Sequence, residues 1–139
     1  SYEARKPSYF ATPATNTIGA LRVGLDQVLA TPGGMDGYFE QHRKAKAMVH
    51  SKLHDMGLEL LTESPDIASN LLSCVKYPEG KLLADVIPAM KEAGWIVAAG
   101  LHPKCASRYF RIGHMGYSTT GRVTYLEDLL ASLKTIVSK

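Results

Sequence analysis

Ile18, Leu21, Leu25, Val28 and Leu29 recur at the three- and four-residue spacing of one helix face, and the pattern stops at Pro32-Gly33-Gly34. A first helix is predicted there, with Thr15 or Asn16 as its cap. A longer helix fits Met35 to Met56: Met35, Tyr38, Phe39, His42, Val49, Leu53 and Met56 trace one stripe, Arg43, Lys44 and Lys52 fall largely off it, and Gly57 closes it. Leu58 to Thr62 reads as a short apolar strand before the turn cluster Glu63-Ser64-Pro65-Asp66. Leu71 to Tyr77 reads as a second strand, closed by Pro78-Glu79-Gly80, and the two are expected to pair.

Leu82, Leu83, Val86, Ile87 and Met90 predict a third helix over Lys81 to Ala93, ended by Gly94 and kinked or divided at Pro88. Trp95 to Ala99 and Arg108 to Ile112 are two more strands on either side of the loop Gly100-Leu101-His102-Pro103-Lys104. A last helix follows Ser118-Thr119-Thr120, with Val123, Leu126, Leu129, Leu130, Leu133, Ile136 and Val137 on its inner face. Two helices, two strands, a helix, two strands and a helix give an α+β sandwich, in which helices cover one face of a small mixed or antiparallel sheet. Residues 1 to 15, with Pro7 and Pro13 among Ser, Thr and aromatics, form an extended lead-in.

Composition fits a single core. The 139 residues are 45% hydrophobic and 21% charged, which excludes disorder, collagen-like repeats and coiled coil. Sixteen Lys and Arg against thirteen Asp and Glu leave a net charge of +3, too small and too scattered for a nucleic-acid or anionic membrane surface. No apolar run approaches the roughly 20 residues of a membrane helix, so a soluble, unexported, intracellular chain is expected. Cys74 and Cys105 lack CxxC spacing and are expected to stay reduced. No dinucleotide, phosphate-loop or HExxH fingerprint is present.

Two stretches carry candidate chemistry. Tyr9-Phe10-Ala11-Thr12-Pro13-Ala14-Thr15-Asn16 gathers hydroxyl donors just before a helix, where backbone N–H groups and the dipole favour an anion. The same residues also read as a capped helix start with packing aromatics. In Tyr109-Phe110-Arg111-Ile112-Gly113-His114-Met115-Gly116, Arg111 lies inside an apolar strand and requires a carboxylate partner, either within the protein or on a bound molecule. His50 and His54, at i and i+4, have no third metal ligand in view and read as partly exposed helix residues. Lys104 and Arg108 read as solvated loop charges.

Read together, YFATPATNTIGAL, FEQHRKAKAMVHSKLHDMGLELL and AAGLHPKCASRYFRIGHMG resemble the C-terminal part of class V pyridoxal-phosphate aminotransferases, in particular the alanine–glyoxylate (serine–pyruvate) group. RIGHMG after a GLHP-type loop is the most specific of these matches. The resemblance implies the small C-terminal domain of fold type I, with residues 1–33 as lead-in and connecting helix and 34–139 as the domain itself. It implies that Tyr9 and Thr12 reach the cofactor phosphate of a partner subunit in a homodimer, and that Arg111 holds the carboxylate of small amino- and keto-acid substrates. His114 and the Gly113 to Gly116 turn would support that arginine. Pyridoxal 5'-phosphate would be bound in the full-length enzyme, without covalent attachment in this chain.

The family's Schiff-base lysine belongs to an N-terminal large domain upstream of Ser1, so this chain is expected to hold no catalytic residue and to be inactive alone. The whole enzyme would move an amino group from alanine or serine to glyoxylate or pyruvate. The alternatives are a folded binding module without activity and a related lyase acting on cysteine or kynurenine. Peroxisome, mitochondrion and cytosol all remain open as the compartment.

Overall fold

The computed structural model describes residues 3–5, 11–121 and 124–138. The chain separates into two compact units, Ser1–Gly37 and Tyr38–Lys139. The first carries helix α1 (Thr15–Leu29), which buries none of its residues: Ile18, Leu21, Leu25 and Leu29 all remain exposed. Its N-cap is Ala14, with no side-chain cap, so neither Thr15 nor Asn16 caps it as expected. Thr15 is already the first helical residue, and its amide donates to the Pro13 carbonyl at 2.8 Å. The expected inner residue Val123 lies outside the described residues.

In the second unit, β1 (Leu72–Lys76), β2 (Ala98–Ala99) and β3 (Tyr109–Gly113) form an antiparallel sheet in the order β1-β3-β2. The Cα register pairs Cys74 with Arg111, Val75 with Phe110 and Ala98 with Arg111. Since side chains alternate along a strand, Ser73, Val75, Phe110 and Ile112 share one face. All four are buried. Cys74, Ala98, Tyr109 and Arg111 share the other.

Three helices build the core on the first face. They are α2 (Gly34–Asp55), which supplies Ala45, Val49 and Leu53, α3 (Leu83–Glu92), which supplies Val86 and Met90, and α5 (Thr124–Val137), which supplies Leu126, Leu129, Leu130 and Leu133. A short α4 (Tyr117–Thr120) precedes α5. The helices α2 and α3 end alike. Gly57 (φ 72°) donates to His54 O at 2.8 Å while Leu58 donates to Leu53 O at 3.0 Å. Gly94 (φ 88°) and Trp95 repeat the pattern on Lys91 O and Met90 O at 3.0 and 2.9 Å. Both are Schellman ends, in which the left-handed residue is glycine because any Cβ would be strained there.

Three expectations change. Leu58 to Thr62 contributes a single bridge, Leu60 to Val75, flanked by amides from Leu61 to Cys74 O (2.9 Å) and Lys76 to Glu59 O (2.8 Å). Trp95 to Ala99 shortens to β2, because the Trp95 indole is drawn to Ser132 Oγ at 3.0 Å on α5. Pro88 does not divide α3, which runs as one helix from Leu83 to Glu92.

Candidate functional site

Arg111 stands half-buried in the central strand on the face away from the core. Its Nε donates to the carbonyl of Ala99 at 2.8 Å. The ion pairs among the described residues are Arg22–Asp26, Arg43–Glu40 and Lys76–Glu59, so none of these carboxylates is matched to Arg111. The internal salt bridge left open by the sequence is therefore not formed among these residues. A planar guanidinium held at Nε is preorganised for a carboxylate arriving at its remaining N–H groups.

Its neighbours are small and weakly polar. Cys74 faces it across β1 and Ala98 across β2. Burial pushes the Cys74 thiol up; the Arg111 charge opposes that shift, and Cys105 adds to it. Cys74 is thus held as a neutral thiol beside the guanidinium, and both cysteines are free.

Tyr109, two residues before Arg111 and on the same face, is 5% exposed. Its phenol oxygen accepts the amides of Leu101 (3.0 Å) and His102 (3.2 Å), while its own carbonyl accepts the Gly100 amide at 3.1 Å. The loop continues with Cys105 N donating to His102 O at 2.9 Å. Gly100 sits so close to this turn that a Cβ would lie 2.5 Å from Ala106 O and 2.7 Å from Tyr109 Cε1. Lys104 and Arg108 are exposed, as the sequence suggested.

On the opposite face a polar network lies within the core. Ser73 Oγ is 3.1 Å from His50 Nε2 and 2.9 Å from His114 Nε2. His114 is fully buried, and burial pushes its pKa down to about 4, a shift that His50 and His42 reinforce and the backbone of residues 114 and 70 opposes. The buried His42 donates Nδ1–H to Tyr38 O (2.8 Å), so its Nε2 accepts the Gly116 amide (3.3 Å). His50 is half-buried and His54 exposed; among the described residues no three His, Cys, Asp or Glu side chains could hold a metal.

Thr12 lies exposed in the non-helical stretch before α1, in the first unit, whereas Arg111 is in the second. Tyr9 lies outside the described residues. Ala14 gives α1 no side-chain cap, and the backbone takes up part of the first turn, Thr15 N–H on Pro13 O at 2.8 Å and Ile18 N–H on Ala14 O at 3.0 Å; a helix start is a setting that favours an anion such as phosphate. Arg111 was legible from the sequence; Tyr109 and the Ala99 carbonyl were not. The period-two rule placing Tyr109 beside Arg111 was the one available signal.

No protein-family model matches the chain. Alanine–glyoxylate aminotransferase 1 of Saccharomyces cerevisiae is 30% identical over 96% of this chain and 34% of its own length. The ureidoglycine–glyoxylate aminotransferase of Bacillus subtilis superposes with a TM-score of 0.81 at 30% identity, over 92% of this chain and 32% of that one. The alanine–glyoxylate aminotransferase of Nostoc sp. superposes with a TM-score of 0.82 at 24% identity, a likeness of fold. The chain spans about a quarter to a third of the length of the curated relatives it matches. The three-stranded antiparallel sheet with helices on one face is therefore the fold of an aminotransferase C-terminal domain. Over nearly its whole length the chain is homologous to the C-terminal portion of class V pyridoxal-phosphate-dependent aminotransferases. No helix among the described residues is long and apolar enough to cross a membrane.

Proposed function

We propose that this chain supplies the substrate-carboxylate clamp and two phosphate contacts of an aminotransferase that moves an amino group from alanine or serine to glyoxylate or pyruvate. The observation carrying the reading is Arg111: half-buried, anchored through Nε to Ala99 O, and paired with no carboxylate among the described residues. Amino donor and keto acceptor both present a carboxylate next to the reacting carbon, so one fixed guanidinium orients each in turn.

Pyridoxal phosphate, when bound, would supply the chemistry by which the amino group leaves the donor and reaches the acceptor. Tyr9 and Thr12 are the residues of this chain that would hold its phosphate, from a partner subunit, beside the first turn of α1. Residues 1–33 act as the lead-in and connecting helix, and 34–139 as the small domain. The exposed Ile18, Leu21, Leu25 and Leu29 give α1 an apolar face suited to the large domain or to the second subunit of a homodimer.

Arg111→Ala in the whole protein is expected to raise KM for donor and acceptor together while the cofactor stays bound; normal KM values for both would overturn the clamp. Tyr9→Phe with Thr12→Ala is expected to release cofactor on dialysis. Retention equal to that of the unaltered protein would overturn the phosphate role.

A further inference from the structure

An arginine that binds a substrate carboxylate must be aimed, and the strand around Arg111 contains the device. Its Nε bonds to the carbonyl of Ala99, the last residue of β2. The direction of that carbonyl depends on the backbone that follows. Gly100 donates to Tyr109 O at 3.1 Å, and the next two amides, Leu101 and His102, both donate to the Tyr109 hydroxyl at 3.0 and 3.2 Å. Three consecutive amides immediately after Ala99 are thus tied to one residue, and that residue shares the Arg111 face two positions away.

The close fit at Gly100 packs the turn onto the phenol ring, leaving no room for a Cβ between Ala106 O and Tyr109 Cε1. Nothing else among the described hydrogen bonds holds the Leu101 and His102 amides. Leu101 itself is 71% exposed, so its side chain does not anchor the turn. The hydroxyl does.

We propose that Tyr109 is a positioning residue for Arg111: by gripping the 100–102 turn it fixes the Ala99 carbonyl and so the direction of the guanidinium. The inference rests on the reading of Arg111 as the carboxylate clamp, and it touches neither substrate nor cofactor. Loss of the phenol oxygen frees the Leu101 and His102 amides and leaves the Ala99–Gly100 peptide held by the single bond from Gly100 N–H to Tyr109 O, so the Ala99 carbonyl is fixed less tightly. Arg111 keeps its charge but loses its fixed direction, which weakens carboxylate binding in the ground state and transition state alike.

The test uses Tyr109→Phe, which keeps the ring and removes the two bonds, in the whole protein that carries this chain. Amide hydrogen exchange at Leu101 and His102 is expected to accelerate by roughly tenfold or more, with the core amides of Val75 and Phe110 unchanged. In the cofactor-loaded protein, KM for alanine and for glyoxylate is expected to rise about fivefold or more while kcat stays within about twofold. Unchanged exchange at 101 and 102 overturns the grip. Faster exchange with unchanged KM overturns the positioning role. Arg111→Lys, measured alongside, separates the two ideas: if it raises KM and Tyr109→Phe does not, the clamp stands and Tyr109 does not aim it. If neither variant changes KM, the clamp itself is wrong and the positioning role falls with it.

Discussion

Ser73 and His114 are 41 residues apart in sequence, yet Ser73 Oγ lies 2.9 Å from His114 Nε2, both side chains buried under α2 on the core face of the sheet. Buried hydrogen bonds of this kind contribute modestly when intact and cost more when one partner is removed. Ser73→Ala is expected to destabilise the protein by about 1–3 kcal/mol, through the stranded imidazole, as read by chemical denaturation.

The same site gives a pH dependence. His114 stays neutral in the folded protein down to about 4, against an ordinary value of 6.5. Between those values the unfolded chain binds a proton that the folded one does not. Stability is therefore full above the unfolded value and is lost as pH falls toward the folded one, by at most about 1.4 kcal/mol per pH unit. His50, also lowered by burial, acts in the same direction. Denaturation midpoints measured across that interval should fall with acidity, and His114→Gln should flatten the slope.

Pro88 gives a prediction of opposite sign. It sits exposed inside α3, where it removes one helical N–H donor without burying its ring in return. Pro88→Ala is expected to stabilise the protein by about 1–3 kcal/mol. A lower melting temperature would contradict this.

Glycine positions differ in the same way. Gly100→Ala is expected to destabilise by about 1–3 kcal/mol, because the new methyl meets the Ala106 backbone rather than a movable side-chain end. Gly19→Ala, in mid-helix with nothing within 4 Å of its new Cβ, is expected to stabilise α1 by about 0.5–1 kcal/mol. Melting both variants under one condition checks the contrast.

What the sequence made legible was what local rules control. The stripe from His42 through Val49 to Leu53, the glycine ends at Gly57 and Gly94, and the inner residues of α5 follow from periodicity and left-handed backbone. The strands expected at Leu71 to Tyr77 and Arg108 to Ile112 followed to within a residue, as β1 and β3, whereas those at Leu58 to Thr62 and Trp95 to Ala99 did not, because tertiary contacts decided them: the bond from Trp95 to Ser132 spans 37 residues, and only Ala98 and Ala99 remain in β2. Of the site, Arg111 stood out as a charge in an apolar strand. Its anchor did not, since a backbone carbonyl carries no side-chain signature, and Ala99 looks like any other alanine. The His50–Ser73–His114 network was equally hidden, its partners being 23 and 41 residues apart.

The carboxylate clamp is tested most directly by removing the carboxylate and the arginine separately and together, with alanine and alaninamide as donors to the whole, cofactor-loaded protein carrying Arg111 or Arg111→Ala. Unaltered protein is expected to favour alanine over alaninamide by about 100-fold or more in kcat/KM, the scale of a bidentate charge-assisted pair. Arg111→Ala should bring that preference down to within a few-fold. A preference for alanine that survives the loss of Arg111 undiminished would contradict the account.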